Sequence, residues 1–445
     1  MLNKNLITAL FLCLSIAVSA QETNKNVLTL EKSIEVALAN NKSILIAKEK
    51  LTKAKGKITE AKSGFLPSLT LQVSYTKLSL VPSFTLSLPV GPAVITREMK
   101  LGAEDNYMVK AILQETLFAW GRVSNSYNLS KHNLQAAEQA YKLAVDETIY
   151  KVTRTFYGAI LAKSVYEANE EMLEKSQEHL KVVKSKFNSG NASQFEVLRA
   201  RVQVENTKPL ASKSKNSHET VLINLRNLLG IKQAQLIEVQ GELIFIKDEI
   251  TLEKALEDAF TNRPELKQAE LRKQISEKSL SMAKAGNKPS LIAVANYNYQ
   301  NPFYYTLDWV NNWSAGVVLN YPIFDGFATS GRAGQASSDL EQAEIQELQL
   351  KDGIEVEVRQ LMLALNEAQE RIVSQEENVK QAQESMRIAE VGYANGVVTN
   401  LEVMDTQLAL TQAKTNYLQA LYDYLTTSAG LKKATGSTGC SSQMQ

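Results

Sequence analysis

Leu30-Glu31-Lys32-Ser33-Ile34-Glu35-Val36-Ala37-Leu38-Ala39-Asn40 is written again as Leu252-Glu253-Lys254-Ala255-Leu256-Glu257-Asp258-Ala259-Phe260-Thr261-Asn262. In the same register, Ala61-Lys62-x-Gly64-x-x-Pro67-Ser68-Leu69 returns as Ala283-Lys284-x-Gly286-x-x-Pro289-Ser290-Leu291, and Tyr75 returns as Tyr297. A second block, Phe187-Asn188-Ser189-Gly190 with Glu196-Val197, matches Tyr393-Ala394-Asn395-Gly396 with Glu402-Val403 at a shorter offset, so the difference must lie in the connections. Such long-range self-similarity marks one pseudo-symmetric unit built from two copies.

Two long windows, Val123 to Phe187 and Thr329 to Tyr393, contain no proline. As continuous helices each would reach about 98 Å at 1.5 Å per residue. An apolar residue recurs every seven positions in the first, at Val145, Val152, Ala159, Tyr166, Leu173, Leu180 and Phe187, and in the second at Val358, Leu365, Ile372, Val379, Met386 and Tyr393. A strict seven-residue period specifies a left-handed coiled coil. The companion stripe turns polar at the same level in both copies: Ile149 and Phe156 give way to Lys163, Glu170 and Gln177, and Met362 to Gln369, Glu376 and Gln383. One narrow apolar seam between polar faces suits a single-layered helical wall that is wet on both sides. Asn188-Ser189-Gly190-Asn191 and Asn395-Gly396 stop the long helices, and Ser193 and Thr399 can cap the helices that return. Pro209 is expected to kink or break the first returning helix.

Between an earlier helix and the long helix of each copy the period changes to two. Leu69, Leu71, Val73 and Tyr75 alternate with Thr70, Gln72, Ser74 and Thr76, while Tyr107, Val109, Ala111 and Leu113 form a return segment. The second copy gives Leu291 to Tyr299 and Trp313 to Tyr321. Four strands of about nine to eleven residues match the length of a tilted membrane strand. Val81 to Glu104, with Pro82, Pro89 and Pro92, and the shorter Asn301 to Asn312 are expected as loops. Four strands leave unpaired edges in lipid, so several protomers must share one barrel.

The first twenty residues read as a secretory signal, with Lys4, an apolar run from Leu6 to Val18, and small residues before Gln21. Formal net charge is +1, and removing Lys4 with the signal brings the mature chain near zero, which gives no electrostatic case for nucleic acid. Of two cysteines only Cys440 follows the signal, so no internal disulfide is expected. His132, His179 and His218 are scattered, with no metal-ligand spacing, and no phosphate-binding glycine loop is present. No cofactor and no enzymatic activity are expected. The expected domains are 1–20, signal; 21–240, first repeat, with a strand hairpin about 68–116 and a helical hairpin about 122–230; 241–433, second repeat, with corresponding hairpins about 290–321 and 327–430; and 434–445, a disordered tail.

The tandem repeat, two strand hairpins, two helical hairpins, the Pro67 and Pro289 junctions, and the entries Leu117-Phe118-Ala119-Trp120-Gly121-Arg122 and Pro322-Ile323-Phe324-Asp325-Gly326 together resemble the TolC-like outer-membrane efflux proteins. That resemblance implies a mainly α fold with a membrane β-barrel: four strands per protomer in a shared twelve-stranded barrel of a homotrimer, continued by a periplasmic α-barrel. It further implies an exit duct in the cell outer membrane that serves a tripartite efflux pump or type I secretion system. The implied partners are a periplasmic adaptor, an inner-membrane pump and outer-membrane lipid.

At the hairpin tips the resemblance places aperture residues at Glu402 and Asp405, with Glu196 in the first copy, and Tyr393 in the polar network that closes the tip. Spacing of three puts Glu402 and Asp405 on one helical face, so a trimer would gather six carboxylates. Val398 stands where the family pattern has arginine, and Arg199 where a second first-copy acid would be sought, so the closing network must differ here. Adaptor contact falls on Ser189, Gly190, Asn191, Asn395, Gly396 and Val397. A periplasmic coiled-coil scaffold without a pore is the alternative; it accounts for the heptads but not for two strand pairs at corresponding places.

Overall fold

The computed structural model describes residues 26–437 except 248 and 305. The expected signal, Cys440 and most of the expected tail lie outside the described residues. The chain divides into two compact units, one made of Lys48–Tyr141 with Glu265–Leu350, the other of the chain up to Ala47, Lys142–Pro264 and the chain from Lys351.

The first unit is organised by strands. Strand β1 (Asn26–Leu28) belongs to the other unit; here β2 (Ser68–Lys77), β5 (Asp105–Phe118), β7 (Ser290–Asn301) and β8 (Val310–Asn320) form one antiparallel sheet in the order β2-β5-β7-β8. Directly opposed residues of an antiparallel pair share a face. The register aligns Val73 with Val109, Val109 with Tyr299, and Tyr299 with Asn311; one step below, Leu71, Ala111, Tyr297 and Trp313 form a row. On the opposite face Gln72, Lys110, Asn298 and Asn312 form a row, and Asn298 donates to Asn312 Oδ1 at 2.8 Å. The sheet therefore has one apolar and one mainly polar face. Its apolar side chains are bare: Leu69 is 72%, Val73 70% and Trp313 77% exposed. Strands β2 and β8 are both open edges.

The segment expected as one loop contains a hairpin of its own, β3 (Ser83–Val90) against β4 (Ala93–Lys100). Pro89 is tolerated because each strand of a two-stranded ribbon has a free edge. At the strand-to-helix entries the backbone turns through left-handed residues, Trp120 and Gly121 in the first copy and Gly326 and Phe327 in the second. Asp325 then accepts from Thr329 N at 2.8 Å and caps the helix that follows.

Helices organise the second unit. Two short helices, α1 (Leu30–Asn40) and α5 (Leu252–Asn262), repeat their caps: Thr29 Oγ1 accepts from Lys32 N, and Thr251 Oγ1 from Lys254 N, both at 3.3 Å. Helices α2 (Lys42–Ser63) and α6 (Pro264–Lys284) follow them and belong mostly to the strand-bearing unit. The long helices α3 (Arg122–Asn188) and α7 (Ala328–Ala394) have 67 residues each, and return as α4 (Gln194–Leu229) and α8 (Asn400–Ala434). Strand β1 pairs in parallel with β6 (Ile237–Val239) beside a core of Leu28, Phe156, Leu225 and Leu229.

Two expectations are corrected. The expected break at Pro209 is absent: α4 runs on past it, and both Pro209 and Glu205, whose carbonyl loses its helical donor, are exposed. The tail expected from Ala434 begins within the fold, since Ala434 ends α8 and Thr435 is 2% exposed. The repeat explains why: a Cβ on Gly230 would meet Asn40 O at 2.4 Å, and one on Gly436 would meet Asn262 Cβ at 2.8 Å, the same glycine against the same asparagine in each copy. Along α7 the heptad stripe stays covered, with Val358, Leu365, Ile372, Met386 and Tyr393 all buried. In α3 burial leaves the stripe toward the tip, where Met172, Ser176 and Val183 are buried instead.

Candidate functional site

The two hairpin tips are built by one recipe. Gly190 (φ +76°) and Gly396 (φ +79°) reverse the chain in the left-handed region. The amide of Asn191 closes onto Lys186 O at 2.8 Å, and that of Val397 onto Gly392 O at 2.9 Å, which satisfies carbonyls left free at the helix ends. Capping boxes restart the chain: Ser193 with Glu196, and Thr399 with Glu402. Thr399 N donates to Glu402 Oε2 at 2.7 Å and Thr399 Oγ1 to the same oxygen at 2.8 Å. Those hydrogen bonds, the backbone one foremost, hold the Glu402 carboxyl below the ordinary carboxylate range. Glu196 makes the matching bond to Ser193 N, also at 2.7 Å.

Beneath the turns the tips lean on each other through Val183, Val197, Ala200, Met386, Ala389, Tyr393 and Val403. Polar ties cross the same contact. Asn400, 3% exposed, faces His179 Nε2 through Oδ1 at 2.6 Å and donates from Nδ2 to Glu196 O at 3.2 Å. With the amide donating to a carbonyl, its oxygen is the acceptor, so His179 carries its proton on Nε2. Burial pushes the His179 pKa down, against the opposing effects of Asn400 and Glu390. Lys186 donates to Tyr393 O and lies 4.5 Å from the centroid of its ring. Tyr393 is 6% exposed and its hydroxyl has no hydrogen-bond partner among the described residues; burial, then the Glu196 charge, raises its pKa.

Of the aperture residues read from the sequence, Glu196 and Glu402 point back onto their own helix starts, whereas Asp405 is exposed without a hydrogen bond or ion pair among the described residues. Ser189, Gly190, Asn191, Asn395, Gly396 and Val397 sit at the turns, with Val397 79% exposed. His179, Lys186 and Asn400 were not singled out by sequence reasoning. A signal was present: Asn400, Gln407 and Lys414 recur every seven residues along α8, and each meets α3, Gln407 donating to Met172 O at 3.0 Å and Lys414 to Glu171 at 2.7 Å. Among the described residues no cluster of His, Cys, Asp and Glu could hold a metal, and no helix is long and apolar enough to cross a membrane.

A family model described as outer membrane efflux protein matches residues 33–231 and 255–437, both copies of the repeat. This chain belongs to that family. It is an outer-membrane protein with a periplasmic extension, in a family of non-enzymatic channels. Among its relatives is the probable efflux pump outer membrane protein TtgC of Pseudomonas putida, 22% identical over 92% of this chain and 82% of that one. The outer membrane protein TolC of Vibrio cholerae is 22% identical over 70% of this chain and 72% of its own. Protein CyaE of Bordetella pertussis is 23% identical, and the match spans 58% of that relative's length. The fold matches the Campylobacter jejuni CmeC outer membrane channel with a TM-score of 0.78 at 18% identity, over 92% of this chain and 86% of that one.

Proposed function

We propose that this chain is the outer-membrane exit duct of a tripartite efflux or type I secretion system. Three copies each contribute the four-stranded sheet, edge β8 of one pairing with edge β2 of the next, to close a twelve-stranded barrel with the apolar face toward lipid and the polar face toward water. The observation that carries this reading is the pair of open edges on a sheet whose apolar face is bare, because neither can remain so in a bilayer. The helical hairpins extend the duct into the periplasm, and their tips narrow it.

In this reading the adaptor docks at Ser189, Gly190, Asn191, Asn395, Gly396 and Val397, where the turns are exposed, and the adaptor links the duct to an inner-membrane pump. Asp405, Glu402 and Glu196 supply the negative charge of the periplasmic aperture, and Tyr393 belongs to the contact that holds the tips together. Because the capping boxes engage Glu196 and Glu402, Asp405 is the carboxylate free to meet a passing cation. Rings of carboxylates favour cations at a constriction. The experiment is single-channel recording in a planar bilayer, with and without a trivalent cation on the periplasmic side, for the wild type and Asp405→Asn. Discrete cation-selective steps, blocked by the trivalent ion and less so in Asp405→Asn, are expected. A folded trimer that also stays silent in Asn400→Ala, where the tip contact is weakened, would favour the pore-less scaffold.

A further inference from the structure

The hairpin of β3 and β4 extends the ladder between β2 and β5. Leu78 N donates to Glu104 O at 2.7 Å, continuing the register in which Lys77 opposes Asp105, and Leu101 N donates to Pro82 O at 2.7 Å, where Ser83 opposes Lys100. Between these two bonds residues 79, 80 and 81 stand against 102 and 103, with Gly102 at φ +103°. One extra residue on one strand is a β-bulge, which bends the ladder and shifts the alternation of that strand alone.

The shift keeps the apolar positions in line. On the sheet the apolar face carries odd-numbered residues of both strands, Val73 opposite Val109 and Tyr75 opposite Tyr107. Beyond the bulge Phe84 opposes Met99, Leu86 opposes Arg97, Leu88 opposes Ile95 and Val90 opposes Ala93, even numbers on β3 and odd numbers still on β4. Counted through the bulge, this is the same face. The reverse face pairs Ser83 with Lys100, Thr85 with Glu98 and Ser87 with Thr96, and Ser83 Oγ donates to Glu98 Oε1 at 2.5 Å. At the tip, residues 89–94, the ribbon is apolar on both faces.

Among the described residues the apolar face stays open: Phe84 and Leu86 are each 37%, Leu88 52% and Ile95 56% exposed. A lone two-stranded hairpin is marginal in water, so this face needs a cover. The root of the hairpin fixes what lies beside it. Tyr75, Tyr107 and Tyr299 stand on the apolar face at that end of the sheet; the rings of Tyr75 and Tyr107 are 5.1 Å apart, and Trp309 lies 6.2 Å from Tyr107 and 4.7 Å from Tyr299. Aromatic rings collect at the headgroup level of a bilayer, so the hairpin starts there. Its strands reach about 26 Å further at 3.3 Å per residue. Bent outward at the bulge, a ribbon that continues the lipid-facing side turns that side down onto the bilayer. Bent inward over the mouth, it would turn the same side up to water.

We propose that the β3–β4 hairpin lies on the outer leaflet of the membrane around the barrel. Phe84, Leu86, Leu88 and Ile95 sit in the hydrocarbon boundary, the tip inserts, and Ser87, Thr96 and Glu98 face water. Arg97, on the apolar face, has a stem long enough to return its guanidinium to the anionic headgroups. This rests on the barrel reading above and adds to it a lipid-bound collar outside the barrel wall.

The test uses the full-length protein with Cys440→Ser, reconstituted in vesicles of phosphatidylethanolamine and phosphatidylglycerol. Leu88→Cys and Ile95→Cys report on the apolar face of the hairpin, Thr96→Cys on its polar face and Val73→Cys on the barrel wall, each labelled in detergent with a permeant nitrobenzoxadiazole dye. Phosphatidylcholine bearing a nitroxide on its acyl chain is the quencher. The dye at Leu88→Cys and Ile95→Cys should be quenched about as strongly as at Val73→Cys and severalfold more than at Thr96→Cys. Quenching at Val73→Cys with none at Leu88→Cys and Ile95→Cys overturns the collar and leaves the barrel standing; bright dye at those two positions then identifies the hairpin of another copy as the cover, and dim dye a hairpin in water. Equal quenching at Leu88→Cys and Thr96→Cys overturns the assignment of faces. No quenching at Val73→Cys refutes the barrel reading and the collar with it.

Discussion

Replacing Asn400 by alanine should loosen the tips without unfolding the helices. Asn400 makes two bonds across the contact, to His179 at 2.6 Å and to Glu196 O at 3.2 Å. The second is the smaller loss, because a carbonyl in the first turn of α4 still accepts from its own helix; about 0.5–1 kcal/mol is expected. The first leaves the His179 Nε2 proton unpaired at a largely buried site, which costs about 1–2 kcal/mol. The sum, about 2 kcal/mol, corresponds to roughly a thirtyfold shift in the opening equilibrium at 1.4 kcal/mol per decade. Hydrogen exchange reads this directly. Amides at the start of α8 and the end of α3 should lose protection by about that factor, while amides of β5 and β7 keep theirs. The cycle with His179→Ala should show coupling near 1 kcal/mol, since the two changes remove the same bond. A loss under about twofold would refute the reasoning, because it would mean that water replaces both bonds at no expense.

The pH dependence follows in direction from His179, whose pKa lies below its ordinary value of 6.5 when folded because burial disfavours the charged ring. The open state then binds more protons, so tip protection is complete above about pH 6.5 and falls on acidification; His179→Asn should flatten that profile. Gly230→Ala combines a left-handed φ of +71° with a Cβ 2.4 Å from Asn40 O, and should destabilise the α1–α4 junction by about 3 kcal/mol. Gly436→Ala, at 2.8 Å from a side-chain carbon, should cost less; the reverse order in thermal melts would show that the two junctions are not equivalent. Gln72→Cys in a Cys440→Ser background should react with membrane-impermeant thiol reagents and Val73→Cys should not. Lys110, the one charged residue on the polar face of the sheet, should make the anionic reagent faster at Gln72→Cys by about fivefold over Lys110→Gln.

What could be read beforehand was whatever repeated or alternated. The strand pairs around Val73 and Tyr297 were legible because a half-buried or lipid-facing strand must alternate, and the caps at Ser193 and Thr399 because a helix start needs an acceptor. The β3–β4 hairpin was hidden by Pro82, Pro89 and Pro92, although Phe84, Leu86, Leu88 and Val90 alternate without fault; prolines mark a loop only where a second neighbouring strand would need their missing donors. Glu196 and Glu402 were noticed as charges, but the residue three before each is a hydroxyl cap, and that spacing was the stronger signal. His179 could not be found from its own surroundings. Its partner lies 221 residues away, and only the fold brings them together.

The polar row on α8 also bears on how such a wall can open. An apolar seam holds helices together in any rotation that keeps it covered, whereas Asn400, Gln407 and Lys414 each require one partner atom at one height on α3. Separation at the tip therefore breaks the bonds in order, Asn400 first, while Tyr424 and Leu421 remain packed further along the helix. The first bond to break is also the one made to an imidazole kept neutral by burial. A proton brought to His179 would therefore act on this contact.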